Sequence, residues 1–353
     1  MASVKIVKVD PVSPREESLK QAALILAGGG LVIIPTETVY GIAADSSNQN
    51  TIERLYAIKQ RPKDKPFSLL IDEKEKIELF AKDIPAAAYK LIEKYWPGPL
   101  TLILKSKNTG TIGLRLPDNA VARKVIALSK VNVVCPSANI SGRPAPVSFQ
   151  EAIQDLKELV DLALDTGETA RGMESTIVDL TVSPGRVVRE GAIPAADIEA
   201  VIKRKFVLFV CTGNSCRSVM AEALLKDALR KGKRCDVDVA SAGIMMMSGS
   251  GASEQTREVL SRQGLDVSGH RSRRVSRDLL NKADLILVME RLHETRVLEL
   301  DPLVKNRLFL LREFAKVKDN RLDIPDPIGN SLEYYQETYA TIKESIEKVC
   351  SLI

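Results

Sequence analysis

The chain has 353 residues, of which 44% are hydrophobic and 27% charged, and its formal net charge is +5. This length suits two domains of ordinary size with separate hydrophobic cores. The positive charge is spread over both halves, which argues against a basic tail or stripe that grips nucleic acid. The N-terminus lacks a secretory-signal pattern, and no apolar run approaches the roughly 20 residues of a membrane helix, so a cytoplasmic protein is expected.

The first 203 residues alternate helix-period segments with short apolar runs in an irregular order. Helices are predicted at 16–27, 51–59, 76–81, 86–95, 120–128, 149–159 and 197–203. Strands are predicted at 31–34, 67–71, 100–104, 112–116 and 131–134, and near Leu162, Thr176 and Val187. This order predicts an α/β domain, 1–203, with a mixed, twisted sheet.

The second half has a more regular order, with strands predicted at 206–210, 237–240, 285–289 and 307–311 and helices between them. An amphipathic helix is predicted at 219–230, and a long helix closes the chain at 332–352. This pattern predicts a second α/β domain, 204–353, with a parallel sheet flanked by helices. The boundary falls near Arg204, where a helix leads almost directly into a strand.

A loop between the first strand and the first helix of the second half runs Cys-Thr-Gly-Asn-Ser-Cys-Arg-Ser from Cys211 to Ser218. Such a loop can curl its backbone N–H groups around one anion, and the following helix adds the positive end of its dipole. These surroundings predict a thiolate at Cys211 with a lowered pKa. The thiolate can attack phosphorus, Arg217 can hold two phosphoryl oxygens, and Ser218 can donate a hydrogen bond to the sulfur.

Three further residues complete this predicted site. Gly213 permits a tight loop, and Asn214 tolerates a left-handed backbone conformation. Asp326 lies between Pro325 and Pro327 in a stiff loop, and it is the best candidate for the acid that protonates the leaving group.

Residues 206–353 resemble the low-molecular-weight protein tyrosine phosphatases. The resemblance is carried by CTGNSCRS, the following MAEALL, Ser241-Ala242-Gly243, His270-Arg271, the segment 283–286 with Met289, and Asp326-Pro327. It implies hydrolysis of a phosphorylated protein through a cysteinyl-phosphate, without a cofactor. Val219 departs from the family, which usually has Pro at that position.

The substrate of this half is predicted from the residues around the loop. Tyrosine-specific members have a bulky aliphatic residue where this chain has Ser215, and they have aromatic pocket walls where this chain has Ile328-Gly329 and Met245-Met246-Met247. Ser215 is similar to the Thr of the protein-arginine phosphatase branch. Phosphoarginine is therefore favoured over phosphotyrosine, with small phosphoesters as a third choice.

The five cysteines allow other roles, which the sequence around them distinguishes. Arsenate reductases share the loop but need two more cysteines after the strand that ends at Met289, and none follows there. Cys216 is expected to be structural, although a reversible disulfide with Cys211 is left open. The remaining cysteines, Cys135, Cys235 and Cys350, are expected to be packing residues. A zinc site is not expected because the chain has only two histidines.

Polar and cationic residues lie at or beside five strands of the first half. They are Thr36, Lys59, Arg61, Ser68, Arg115, Ser137, Asn139, Ser175 and Arg189. Such groups are costly to bury, so together they predict one polar cleft for an anionic, phosphorylated ligand. Seven motifs make residues 10–202 resemble the YrdC-type threonylcarbamoyl-AMP synthases: PTETVYG, KQRP, YWPGPLT, GLRLP, CPSANISG, ESTIVDL and VREGAI.

The resemblance implies a nucleotidyltransferase that condenses L-threonine, bicarbonate and ATP, with Mg²⁺, into threonylcarbamoyl-AMP and pyrophosphate. The product would feed threonylcarbamoylation of adenosine in tRNA by downstream tRNA-modifying proteins. By motif, Thr36, Ser68, Ser137 and Ser175 would contact threonine, and Arg115 would bind a carboxylate or phosphate. The ATP-binding residues implied in the same way are Lys59, Arg61, Asn139 and Arg189.

Two alternatives remain for the first half. One is carbamoyl transfer, as in YrdC-like modules of hydrogenase maturation, although the zinc-finger and acylphosphatase segments of those proteins are absent here. The other is an RNA-binding module without catalysis, which the even charge balance disfavours. Direct binding of tRNA by the enzyme is left open, but the charge does not indicate it.

Overall fold

Short buried strands form a mixed sheet in the first of two compact units, Met1–Ile202 and Lys203–Ile353. The computed structural model describes residues 4–245, 249–317 and 321–353. Within these residues the first unit has ten strands: β1 (Lys5–Lys8), β2 (Val32–Ile34), β3 (Gly41–Asp45), β4 (Leu69–Leu70), β5 (Leu100–Lys105), β6 (Thr111–Arg115), β7 (Val133–Val134), β8 (Leu162–Asp165), β9 (Thr176–Asp179) and β10 (Arg186–Arg189). Their order is β1-β8-β2-β3-β7-β4-β6-β5-β9-β10, with parallel and antiparallel pairs, so the predicted mixed sheet is confirmed.

Helices cover the two faces of this sheet. They are α1 (Glu16–Ala27), α2 (Gln49–Lys59), α3 (Ile77–Phe80), α4 (Ala86–Tyr95), α5 (Ala120–Ser129), α6 (Phe149–Gln154) and α7 (Ala195–Lys203). Adjacent strand residues enter different clusters: Leu31 and Ile33 pack in one core, while Val32 and Ile34 pack in the other. This alternation is what a sheet buried on both faces requires.

The second unit has a parallel sheet in the order β12-β11-β13-β14, as predicted. Its strands are β11 (Lys205–Cys211), β12 (Val237–Gly243), β13 (Leu285–Val288) and β14 (Leu308–Leu310). Its helices are α8 (Arg217–Lys231), α9 (Glu254–Ser261), α10 (Arg277–Lys282), α11 (Arg291–Leu300), α12 (Leu311–Phe314) and α13 (Leu332–Leu352). Because β11 and β13 are parallel neighbours, the loops that follow them meet at one edge of the sheet.

The structure adds two strands that the sequence pattern did not predict. β1 pairs with β8, more than 150 residues away in sequence, and β3 pairs with β2 and β7. The predicted helix at 149–159 ends earlier, at Gln154. Among the described residues, none of the helices is both long and apolar enough to cross a membrane.

Candidate active sites

All nine polar residues predicted for the cleft of the first unit line one cavity of about 310 Å³. They are Thr36, Lys59, Arg61, Ser68, Arg115, Ser137, Asn139, Ser175 and Arg189. Tyr40, Thr101, Cys135, Arg143 and Glu174 also line it. The mixed sheet explains the convergence, because the end of one strand lies beside the start of its antiparallel neighbour.

Lys59 is buried at the end of α2 and is already fully hydrogen-bonded. Its ammonium donates to the carbonyl oxygens of Ser137 and Asn139, at 2.7 and 2.6 Å, and to Asn139 Oδ1 at 2.9 Å. Burial and the nearby charge of Arg61 lower the pKa of Lys59 to about 8. Lys59 therefore holds the segment 137–139 in place, which is a different role from that of a free cation at the cavity surface.

Arg115 is held on one side of the cavity by a buried carboxylate. Its Nη2 donates to Glu37 Oε1 and Thr38 Oγ1, both at 2.8 Å. Arg115 Nε and Glu37 Oε2 are buried and have no hydrogen-bond partner among the described residues. Glu37 was not predicted as a site residue, although it lies in the PTETVYG motif next to Thr36.

Ser175 lies immediately before β9, and Arg189 is the last residue of the neighbouring strand β10. Arg189 donates to the carbonyl oxygen of Ser175 at 2.8 Å and to Glu174 Oε1 at 2.6 Å. The Ser175 hydroxyl lies 2.9 Å from that of Thr101, which the sequence analysis did not single out. These contacts fix the position of the guanidinium beside the cavity.

Arg61, Thr36 and Ser68 complete the lining. Arg61 donates to the carbonyl oxygen of Lys65 at 2.9 Å and lies 5.3 Å from the centre of the Phe67 ring. The Thr36 hydroxyl donates to the carbonyl oxygen of Val39 at 2.6 Å, which fixes the turn after β2.

Cys135 lies in the cavity wall, so its expected role as a simple packing residue is incomplete. Burial raises the pKa of its thiol to about 12. Cys235 was also expected to be a packing residue, but it is exposed.

The second site is centred on Cys211, at the end of β11. Its sulfur lies 3.0 Å from Ser218 Oγ at the start of α8. Asn214, with φ of 54°, donates through Nδ2 to the hydroxyls of Ser218 and Ser241, at 3.0 and 2.7 Å. Because Ser218 accepts from Asn214, its own hydroxyl proton is free to point at the sulfur.

Burial raises the pKa of the Cys211 thiol, against the prediction of a lowered value. The Ser218 hydroxyl, the charge of Arg217 and the backbone N–H groups of Ser218 and Asn214 act in the opposite direction. The sequence pattern shows only these stabilising groups. In the fold Cys211 is 2% exposed, and the loss of hydration outweighs them.

The Arg217 guanidinium is buried and engaged by two carboxylates. Its Nη1 donates to Glu290 Oε2 at 2.6 Å and to the carbonyl oxygen of Ile324 at 2.8 Å. Its Nη2 contacts Asp326 Oδ2 and donates to Thr212 Oγ1 at 3.0 Å. Its Nε is buried without a partner among the described residues. The structure therefore brings together Cys211, Arg217, Ser218 and Asp326, as the sequence predicted.

Two residues of this site were missed by the sequence analysis. Glu290 follows β13 and pairs with Arg217, and the buried His293 on α11 lies 2.9 Å from Thr212 Oγ1. Both lie in the segment after Met289. Parallel pairing of β11 with β13 brings this segment next to the Cys211 loop, and the local sequence pattern does not reveal that pairing.

The residues predicted to set specificity lie around the same loop. Ser215 is half-buried, and Ile328 is 64% exposed just after the Asp326-Pro327 pair. Cys216 is buried, and its sulfur lies 3.6 Å from Tyr335 Oη and 3.4 Å from Ser253 Oγ. Met246 and Met247 lie outside the described residues.

Two family models match the chain. The Sua5–YciO–YrdC model, with the description Telomere recombination, matches residues 24–191. The model for low molecular weight phosphotyrosine protein phosphatases matches residues 206–353.

Individual relatives divide in the same way. The threonylcarbamoyl-AMP synthase of Pyrococcus abyssi is 40% identical over 53% of this chain and 58% of its own length. A relative from Mycobacterium leprae is 36% identical over 53% of this chain and 89% of its own length. The protein-arginine-phosphatase of Geobacillus stearothermophilus is 35% identical over 40% of this chain and 92% of its own length.

The chain thus spans a little over half the length of the P. abyssi relative. A crystal structure of P. abyssi Sua5 complexed with L-threonine matches with a TM-score of 0.54 at 24% identity, covering 96% of this chain and 97% of that one. At this identity the likeness concerns the fold alone. With the two family models and the relatives matched over most of their length, the chain belongs to the Sua5–YciO–YrdC family through its first unit and to the low-molecular-weight phosphotyrosine protein phosphatase family through its second.

Proposed function

We propose that the chain is a bifunctional enzyme, and that residues 1–203 form threonylcarbamoyl-AMP from L-threonine, bicarbonate and ATP. The main support is that one cavity is lined by hydroxyls and five cationic side chains. The name of the P. abyssi relative gives the activity, and the P. abyssi crystal structure contains L-threonine. The product would be used by downstream proteins that modify adenosine in tRNA.

In this proposal the protein works by positioning its substrates and neutralising their charge, without a covalent nucleophile. Arg115 binds a carboxylate or phosphate, and Thr36, Ser68, Ser137 and Ser175 contact threonine. ATP enters as its Mg²⁺ complex and is bound by Arg61, Asn139 and Arg189. Lys59 acts on ATP through the segment 137–139, whose carbonyl groups it holds.

The test is pyrophosphate release from ATP, measured with and without threonine and bicarbonate. The wild-type protein is expected to need both. Lys59→Ala is expected to lower the rate strongly, because it frees the segment 137–139. Lys124→Ala is the matched control, since Lys124 is exposed on α5 and does not line the cavity. Pyrophosphate release that is equally fast without threonine would contradict the proposal.

For residues 204–353 we propose hydrolysis of protein phosphoarginine, with phosphotyrosine as the second substrate. Support comes from Cys211, Ser218, Arg217 and Asp326 meeting at one loop, and from the arginine phosphatase among the relatives. Ser215 gives the loop a small hydroxyl, and the exposed aliphatic Ile328 suits an alkyl stem better than a ring. No cofactor is required by this chemistry.

The reaction has two steps. As the substrate binds, the thiol proton of Cys211 passes to Asp326. The Cys211 thiolate attacks phosphorus, the bond from phosphorus to the leaving nitrogen or oxygen breaks, and Asp326 gives the leaving group that proton. Water then attacks the cysteinyl-phosphate, Asp326 takes a proton from that water, the thiolate and inorganic phosphate are released, and Asp326 returns the proton to Cys211. The phosphoryl group must first take the place of Asp326 on Arg217, which leaves the Asp326 carboxyl beside the leaving group.

The test compares release of phosphate from phosphoarginine and phosphotyrosine peptides. Cys211→Ser is expected to abolish both, while Cys216→Ser, in the same loop, keeps them. Ser215→Ile is expected to shift the ratio of kcat/KM toward phosphotyrosine. Equal turnover by the wild-type protein and Cys211→Ser would show that Cys211 is not the nucleophile.

A further inference from the structure

Thr212, the residue after the nucleophile, has an unusual set of hydrogen-bond partners. Its Oγ1 lies 3.0 Å from Arg217 Nη2 and 2.9 Å from His293 Nε2. Arg217 can only donate, so the first of these contacts uses one lone pair of the Thr212 oxygen. The direction of the second contact depends on which nitrogen of His293 carries the proton.

The backbone settles the protonation of His293. The N–H of Glu290 donates to His293 Nδ1 at 3.0 Å, so Nδ1 has no proton of its own. Burial and the charge of Arg217 lower the pKa of His293 to about 4, which keeps the ring neutral near pH 7. A neutral ring with a bare Nδ1 carries its proton on Nε2. His293 therefore donates to Thr212.

The number of lone pairs on the Thr212 oxygen determines where its hydroxyl proton points. A hydroxyl oxygen has two lone pairs and one proton, and both lone pairs here accept from Arg217 and His293. The proton must point in a third direction, where the described residues offer it no acceptor. Thr212 is half-buried, and the Arg217 nitrogen that it contacts also contacts Asp326. The Thr212 hydroxyl therefore shares its Arg217 nitrogen with Asp326, the group that a phosphoryl oxygen would displace.

We propose that Thr212 is a substrate-binding residue whose hydroxyl donates to a phosphoryl oxygen, and that His293 is the positioning residue that orients it. The inference rests on the phosphatase function proposed above for the second unit. It adds a side-chain donor to those of the loop backbone and to the unpartnered Nε of Arg217. A phosphoryl group carries up to two negative charges, so hydrogen bonds to it are stronger than those between neutral groups.

The experiment measures how inorganic phosphate protects Cys211 from alkylation by iodoacetamide in the full chain, with the Cys211 peptide followed by mass spectrometry. This readout needs no turnover and therefore also works in weakened variants. Thr212→Val keeps the shape of the side chain and removes the hydroxyl, whereas Thr212→Ser keeps the hydroxyl. We expect Thr212→Val to raise the half-protecting phosphate concentration about tenfold or more, since hydrogen bonds to charged groups are stronger than those between neutral groups. For Thr212→Ser, the half-protecting phosphate concentration should stay within about twofold of the wild-type value.

A double-mutant cycle separates direct binding from an effect that passes through Arg217. In an Arg217→Lys background, a hydroxyl that contacts phosphate directly should still show most of the loss on Thr212→Val. If the loss disappears in that background, Thr212 only positions Arg217 and the proposal is wrong. For His293, the change to Leu should weaken protection, and the change to Gln, which keeps an N–H near the Nε2 position, should restore it.

The outcomes distinguish this inference from the proposed function. If phosphate protects the wild-type protein and phosphopeptides are hydrolysed, but Thr212→Val behaves like the wild type, the role of Thr212 is excluded and the phosphatase assignment stands. If phosphate does not protect the wild-type protein and no phosphopeptide is hydrolysed, the phosphatase function itself fails. Circular dichroism of each variant checks that the second unit is folded.

Discussion

At the residue scale, Asp326 pairs with Arg217, and in the proposed reaction it acts as an acid once the substrate has displaced it from that pair. Asp326→Asn removes the acid, so kcat with phosphoarginine should fall by about 10²–10⁴-fold. The loss should be smaller with p-nitrophenyl phosphate, because nitrophenolate leaves without a proton. Asp323→Asn is the control, since Asp323 lies in the same loop but accepts from the backbone N–H of Arg291. An equal loss with both substrates would contradict the role of Asp326 as an acid.

Lys59 makes a pH-dependent contribution to stability whose sign follows from its pKa. The pKa of Lys59 is lowered from 10.5 to about 8 in the folded protein. Between these values the unfolded chain binds a proton that the folded chain has released, so the free energy of unfolding rises with pH. Below about pH 8 the buried ammonium destabilises the fold by its full amount.

Lys59→Met should remove this pH dependence. The unfolding free energy of the wild type, minus that of Lys59→Met, should rise by roughly 1–3 kcal/mol between pH 7.5 and pH 10. Urea titrations followed by the fluorescence of Trp96, the single tryptophan of the chain, report on the first unit. Burial raises the pKa of the Cys135 thiol to about 12, which lowers the stability as the pH rises, but this contribution is present in both proteins and cancels in the difference. A difference that stays constant with pH would show that Lys59 keeps an ordinary pKa.

At the scale of elements, the close packing of β12 against the Cys211 loop requires a glycine at position 243, whereas the sequence pointed to Gly213. A Cβ at Gly243, the last residue of β12, would lie 2.7 Å from the Thr212 carbonyl oxygen and 3.0 Å from the Asn214 nitrogen. A Cβ at Gly213 would meet Ser215 Oγ at 3.5 Å, an ordinary contact. Gly243→Ala should therefore displace the loop and lower kcat/KM for phosphopeptides at least about tenfold. Gly213→Ala should change kcat/KM by no more than about threefold. A larger loss in Gly213→Ala than in Gly243→Ala would show that Gly213 is the glycine that the loop requires.

Much of both sites could be predicted because strand ends collect polar residues. Ser137 follows β7 and Arg115 ends β6, so a sheet containing both strands brings them to one cavity. β3 was missed because it begins at Gly41, the last residue of the PTETVYG motif, without a break in the pattern. β1 is a four-residue edge strand with three exposed residues, so its sequence lacks the apolar run by which the buried strands were recognised.

Long-range partners could not be predicted from local pattern. Glu290 and His293 reach the Cys211 loop only because β13 lies beside β11, and their segment has no motif that reads as catalytic. The pKa of Cys211 was predicted in the wrong direction, because the depth of burial depends on packing that local sequence does not define.

At the scale of the whole molecule, each of the two units has its own hydrophobic core. Leu102 is fully buried in the first unit and Ile342 in the second. Replacing either with Ala removes buried contacts that contribute roughly 2–5 kcal/mol. With a urea dependence of about 1–3 kcal/mol/M, each change should lower the unfolding midpoint of its own unit by about 1 M or more.

Two probes separate the units in the intact chain. Trp96 fluorescence reports on the first unit, and hydrolysis of p-nitrophenyl phosphate, relative to its starting rate, reports on the second. Leu102→Ala should shift the Trp96 transition toward lower urea and leave the loss of phosphatase activity where it is in the wild type. Ile342→Ala should do the opposite. If either variant moves both transitions together, the two cores unfold as one cooperative block, and a change in one site would then reach the other through global stability.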